Sequence, residues 1–260
     1  MRILLVRHAE PDYSVDSLTA RGWREAELLS RRLSRLKRVE GWFVSPLGRA
    51  RDTAAATLRR VGAEAEALPW LQEFRGRAVD PDTGAPRLAW DFPPRTVERF
   101  PQMLRAEEWL DAPPFRGTNC RAVWEETRQG LEDLLGRFGY VRDGALWRIA
   151  DNRRGVIVCF CHFGIAMTIC AHLLGISPVA LWQGLCMTPS SVTSLVTEER
   201  VRGEVWWRCE MMGDVSHLAV ADMRPSTAAQ FPEIYTGRDT TEPIEWDLDA
   251  CESGKEKSSQ

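Results

Sequence analysis

The sequence predicts an α/β fold: a three-layer sandwich in which a mostly parallel central sheet lies between helices, with a Pro/aromatic-rich lid insertion. Two observations carry that prediction. Apolar runs of strand length alternate with stretches that repeat apolar residues every three or four positions, the mark of strands alternating with amphipathic helices. One central segment, 76–119, keeps neither periodicity.

Residues 2–6 (Arg-Ile-Leu-Leu-Val) read as a buried strand. Asp16 to Thr19 offer cap residues for a helix running to about Leu36, with Ala26, Leu29, Leu33 and Leu36 on one face. Gly41 to Ser45 read as a second strand, and 47–61 as a helix carrying Ala50, Ala54 and Leu58 on one side. Ala63 to Leu68 suit an edge strand leading into Leu71, Glu73 and Phe74. The segment 76–119 then gathers Pro81, Pro86, Pro93, Pro94, Pro101, Pro113 and Pro114 with Trp90, Phe92, Phe100, Trp109 and Phe115. Prolines break regular elements, whereas aromatics in this number need a core, so a packed lid is expected and not a disordered linker. A helix at about 121–138 follows. Val156 to Cys161 form a central-strand pattern, His162-Phe163-Gly164 a turn, and Ile165 to Leu174 a helix. Ser191 to Val196 and Val205 to Cys209 read as strands joined by a charged turn containing Gly203. The expected organisation is one domain over 1–250 and a flexible tail over 251–260.

Composition narrows the function classes. The 260 residues hold 34 Lys and Arg against 37 Asp and Glu, a formal charge of −3, so no bulk attraction to nucleic acid or anionic membrane is expected. The run 31–38 (RRLSRLKR) is basic, but Leu33 and Leu36 make it an ordinary amphipathic helix without a base-stacking platform. No apolar run approaches the ~20 residues that span a bilayer. The opening run is charged too early for a signal peptide. Seven cysteines without a CxxC pair, two of them alternating in an apolar strand, read as reduced core residues of a cytoplasmic protein.

The chemistry gathers at strand ends. Arg7-His8 closes the first strand, Ser45 the second with Arg49 just inside the next helix, and His162 closes the strand 156–161. Open α/β sheets collect ligands at the carboxyl ends of their strands. Two arginines, two histidines and a helix N-terminus on one edge suit a phosphate: guanidinium groups match its oxygens in pairs and helix amides add donors. Taken singly, each of these residues has an ordinary surface or core reading; the convergence is what points to function. Of the other histidines, His172 and His217 read as structural. With no HExxH or comparable ligand pair, neither a metal nor another cofactor is expected. Arg75 and Arg77 either meet an acidic substrate or sit in a solvated loop, and Trp90, Trp109 and Trp124 either line a pocket or pack the insertion.

Five segments, LVRHAEP at 5–11, LTARGWREA at 18–26, SPLGRARDTA at 45–54, LQEF at 71–74 and CHFGI at 161–165, resemble in order and spacing the histidine phosphatase superfamily, also called phosphoglycerate mutase-like. The resemblance implies that His8 is phosphorylated during turnover. Arg7, Arg49 and His162 would then bind the transferred phosphoryl group, and Glu73 would protonate the leaving group. It also implies a phosphomonoesterase for a small phosphorylated metabolite, with a phosphomutase or a non-catalytic phospho-ligand binding module as alternatives. Ser14 stands where many members have a phosphate-touching asparagine, and Phe163 replaces the first glycine of the usual His-Gly-Gly turn. Together with Arg75 these two are candidate substrate contacts. Chemistry asks further that His8 keep one ring nitrogen unprotonated, through an acceptor such as a backbone carbonyl on the other, and that Glu73 hold its proton near neutrality.

Overall fold

A computed structural model describes residues 1–151, 153–228, 233–237 and 240–243; the tail expected over 251–260 lies outside the described residues. Eight strands form the main sheet: β1 (Arg2–Arg7), β2 (Val39–Val44), β3 (Glu66–Ala67), β4 (Val141–Asp143), β5 (Leu146–Arg148), β6 (Val156–Cys161), β7 (Val192–Val201) and β8 (Glu204–Asp214). Their spatial order is β3-β2-β6-β1-β7-β8-β5-β4. The main helices are α1 (Ala20–Leu33), α2 (Gly48–Val61), α3 (Cys120–Gly136), α4 (Phe163–Leu174) and α5 (Pro178–Gly184).

The sheet is mixed. Strands β1, β6, β2 and β3 run parallel, whereas β7, β8, β5 and β4 join by antiparallel pairings. Connection length accounts for part of the division: α1 and α2 lie in the long connections that parallel pairing requires, while the short turns at 144–145 and 202–203 make β4–β5 and β7–β8 hairpins. The expected parallel sheet is thus the half that carries the strand ends of interest.

Alternation along the strands splits the core into two layers. Ile3, Leu5, Phe43, Ile157 and Cys159 face α3, α4 and the 76–119 segment. Leu4, Val6, Val44, Val158 and Phe160 face Leu29 and Leu33 of α1 and Ala50 and Ala54 of α2. Helix α1 starts where the cap residues predict, Thr19 Oγ1 accepting the Gly22 amide at 3.0 Å. It stops at Leu33, three residues short of the reading, because the chain tightens into a turn in which the Leu36 amide bonds to the Leu33 carbonyl at 3.1 Å.

The 76–119 segment is packed, as its aromatics require. Trp109 is 1% exposed and meets Phe115 and Trp182 edge-on, with ring centroids 5.1 and 5.8 Å away. Losing one such tryptophan typically costs about 3–5 kcal/mol, a large share of a domain's stability. The segment also holds elements that periodicity hides: a hairpin of Arg77–Val79 with Pro86–Leu88 and a short helix Pro94–Arg99. The β4–β5 hairpin and α5 were likewise not legible.

Candidate active site

Register brings the strand ends to one level. Arg7 pairs with Cys161 and Val6 with Phe160 across β1 and β6, and Val44 pairs with Phe160 across β2. The next amides continue the ladder: His8 N–H donates to the Cys161 carbonyl at 2.9 Å and Ser45 N–H to the Phe160 carbonyl at 2.9 Å. His8 and His162 therefore leave neighbouring parallel strands side by side. Their ring centroids lie 5.1 Å apart, with planes tilted by 55°. Both are buried.

The hydrogen bonds fix the tautomer of His8. Its Nδ1 lies 2.8 Å from the Ala9 carbonyl oxygen, which can only accept, so Nδ1 carries the proton and Nε2 presents a lone pair. Burial, reinforced by the charges of Arg7 and Arg49, holds the ring's pKa down at about 3, so it stays neutral at pH 7. The His162 pKa is pushed well below its ordinary value by burial and then by His8, Arg49 and Arg7. His162 Nε2 meets Ser45 Oγ at 2.7 Å, while its Nδ1 is buried without a hydrogen-bond partner.

Two guanidinium groups flank the rings. Arg7 is 3% exposed, donates through Nη1 to the Met187 carbonyl, and lies 5.8 Å from the Phe163 ring. Arg49 reaches in from the first turn of α2. Its side chain is 13% exposed, its Nη1 meets Asp16 Oδ1 at 2.5 Å, and its Nε is buried and unpartnered. Tyr13 covers it, with the guanidinium carbon 5.4 Å from the ring centroid.

Glu73 sits at the N-terminus of α4, its Oε1 accepting the amides of Phe74 at 2.8 Å and Ile165 at 3.0 Å. Burial raises its pKa; the amides of Phe74, Ile165 and Gly164 and the charge of Arg7 pull against that rise without cancelling it. Gly164 makes the arrangement fit, because a Cβ there would stand 2.7 Å from Glu73 Oε1 and 2.6 Å from the Trp90 ring.

His8, Arg49 and Glu73 open onto one cleft of about 430 Å³, together with Tyr13, Phe74, Arg75, Arg77, Leu88 and Trp90. Of the three candidate substrate contacts, only Arg75 lines it, and there it is paired with Glu126 at 2.7 Å. Ser14 is exposed with its hydroxyl turned to Asp12 at 2.5 Å, and Phe163 is buried beneath Arg7. Trp90 lines the cleft; Trp109 packs in the core, and the half-buried Trp124 packs against it. Tyr13 and Leu88 carried no motif in the sequence, Asp16 read only as a cap residue for α1, and its positive φ of 48° is a feature only coordinates reveal.

The remaining histidines lie apart from the cleft. His172 Nε2 meets Glu132 at 3.0 Å. His217 Nε2 meets Ser190 Oγ at 3.1 Å, and the Ser190 amide in turn donates to the His8 carbonyl at 3.0 Å. Among the described residues no His, Cys, Asp and Glu cluster could hold a metal ion, and no helix is long and apolar enough to cross a membrane.

A neutral imidazole with an open Nε2, flanked by two cations and by a carboxyl whose pKa burial raises, can accept a phosphoryl group and offer a proton to what departs. The comparison with known families agrees with that chemistry: residues 3–210 match the model of the histidine phosphatase superfamily (branch 1). The chain belongs to the histidine phosphatase superfamily. Solved structures share this superfamily member's fold. A phosphoserine phosphatase mutant from Entamoeba histolytica, in complex with phosphoserine, has a TM-score of 0.55 at 19% identity, covering 84% of this chain and 98% of its own. A mycobacterial glucosyl-3-phosphoglycerate phosphatase also scores 0.55 at 21% identity, covering 82% of this chain and 98% of its own. The α-ribazole phosphatase of Shigella flexneri scores 0.53 at 19% identity, covering 83% of this chain and 97% of its own. No curated protein sequence matches the chain.

Proposed function

We propose that this superfamily member is a metal-independent phosphomonoesterase, acting on a small phosphorylated metabolite through a phosphohistidine on His8. In the first step His8 Nε2 attacks phosphorus, the ester P–O bond breaks, and Glu73 gives its proton to the departing alkoxide. In the second step water attacks the phosphohistidine, Glu73 takes back a proton, and inorganic phosphate leaves. Arg7, Arg49 and His162 match the charge that spreads over the equatorial oxygens. The 76–119 segment acts as the cap over the leaving group. The single observation that supports this reading most is the His8 Nδ1 contact to the Ala9 carbonyl at 2.8 Å, because it leaves the attacking nitrogen unprotonated at neutral pH. The structural neighbours named as phosphatases of phosphoserine, glucosyl-3-phosphoglycerate and α-ribazole support a small phosphoester as substrate.

The test is hydrolysis of an aryl phosphate and a panel of phosphorylated metabolites in EDTA, with the intermediate trapped in alkali. Release of free phosphate in step with turnover, lost in His8→Ala, is the expected result. Isomerised ester without free phosphate would instead mark a mutase. Phosphate binding with no turnover would mark a binding module.

A further inference from the structure

The reaction above uses the inner end of the cleft and gives the individual side chains of its outer wall no role beyond covering the leaving group. That wall is the hairpin of the 76–119 segment, in which Arg77 stands directly across from Leu88, and Trp90 follows two residues later; all three line the cleft. Arg75, just before this segment, and the segment's other arginines are engaged. Arg75 pairs with Glu126 at 2.7 Å, Arg87 with Asp80 at 2.9 Å and Arg99 with Asp82 at 2.5 Å, and the rest meet a nearby carboxylate or carbonyl. Arg77 differs: among the described residues its guanidinium has no ion pair and no hydrogen bond. Its backbone is nevertheless fixed, the amide donating to Asn119 Oδ1 at 2.8 Å, so the strand that presents the charge is anchored. Trp90 is fixed as well, its carbonyl accepting from Gln183 Nε2 at 2.8 Å and its ring set edge-on against Phe163 and Trp182 at 6.3 Å each. Its indole Nε1 is buried without an acceptor.

An exposed cation on an anchored strand, without a counter-charge among the described residues and beside an apolar side chain and an aromatic ring, matches a ligand with an anionic end and an apolar or planar middle. We propose that this wall selects phosphomonoesters bearing a second anionic group, a carboxylate or a further phosphate, beyond a short apolar or planar spacer. Arg77 receives the second anion, and Leu88 and Trp90 hold the spacer. The inference rests on reading the cleft as that of a phosphomonoesterase.

Phenyl phosphate, its 4-carboxamide, its 4-carboxylate and its 4-phosphonate, compared by kcat/KM, test it. Wild type should favour the charged esters over the neutral carboxamide by about tenfold, mostly through KM, the size expected for one partly solvated charge-assisted contact. The carboxylate and phosphonate arms tell the two anions apart. Arg77→Ala should bring the charged-to-neutral ratio to about one, and Arg77→Lys should restore part of it. Arg77→Glu should invert the ratio in favour of a 4-aminomethyl ester, a gain that misfolding cannot produce. Equal rates on charged and neutral esters in wild type, or an unchanged ratio in Arg77→Ala, would overturn the inference while leaving the phosphatase reading intact. Failure of wild type to hydrolyse any of the four esters would remove both.

Discussion

Asp16 holds Arg49 and the start of helix α2 with one carboxylate: Oδ1 accepts the Arg49 guanidinium at 2.5 Å, and Oδ2 accepts the Gly48 amide at 2.7 Å. Leu47, at the cap position of α2, has no side chain able to do this, so the cap comes from a loop 32 residues earlier. The close approach explains Gly48, where a Cβ would stand 2.0 Å from the Asp16 carbonyl oxygen. The Asp16 side chain is 45% exposed, so the ion pair adds little stability in water; what it sets is the direction of the guanidinium. Asp16→Ala should cost about 1 kcal/mol through the lost cap. It should also weaken competitive inhibition by inorganic phosphate by about tenfold, as Arg49 loses its orientation. Asp16→Asn should keep most of the stability and lose part of the phosphate affinity. An inhibition constant unchanged in Asp16→Ala would show that Arg49 needs no such support.

Glu73 is the proposed acid, and its value depends on the leaving group. Alkoxides need a proton and good aryl leaving groups scarcely do. Glu73→Gln should therefore slow alkyl phosphates by about 10²–10⁴-fold and activated aryl phosphates far less. Burial raises the Glu73 pKa, so the protonated form persists to higher pH than that of an ordinary carboxyl. Activity on alkyl esters should fall as pH rises through that raised value, and this alkaline limb should vanish in Glu73→Gln. Equal losses on both ester types would deny Glu73 the role.

Gly164 probes the same carboxyl without touching it chemically. An added methyl must displace both Glu73 Oε1, 2.7 Å away, and the Trp90 ring at 2.6 Å. Overpacking of this kind costs about 1–3 kcal/mol. Gly164→Ala should thus lower the melting temperature modestly while cutting alkyl-ester turnover sharply. Turnover that falls only in step with stability would count against a positioned acid.

Much of this site was readable because its residues sit where strands stop: Arg7-His8, Ser45 and His162 each interrupt an apolar run. What the runs do not encode is relative register. The alignment of Arg7 with Cys161 sets the rings of His8 and His162 5.1 Å apart, and it arises from pairing between segments some 150 residues away from each other. Asp16 illustrates the same limit. It reads as part of the cap cluster for α1, yet Thr19 caps α1 and Asp16 serves α2. The outer wall stayed hidden because proline-rich hairpins lack periodicity, so Arg77 and Leu88 could not be paired from sequence. In the antiparallel half, β7 and β8 were legible as two strands about a charged turn, whereas β4 and β5 escaped because each is only three residues long.

Burial keeps the histidines neutral, and this should make the fold acid-sensitive well above the carboxylate range. His217 is held at about 4 by burial and by Arg32, His172 at about 4 chiefly by burial, and His8 at about 3. In the unfolded chain each titrates near 6.5, so below that pH the unfolded state binds protons that the folded state refuses. Their stabilising effect is complete above about pH 6.5, declines as pH falls, and levels off near the folded values. Each neutral histidine contributes a slope of about 1.4 kcal/mol per pH unit within that window. The raised pKa of Glu73 acts oppositely, favouring the folded state as pH falls, and offsets part of the slope. Denaturant unfolding between pH 7 and pH 4 measures the sum. His217→Gln should start less stable at pH 7, because the contact to Ser190 is lost, and should show a slope shallower by about one proton. A slope identical to wild type would mean that His217 is already protonated in the folded protein.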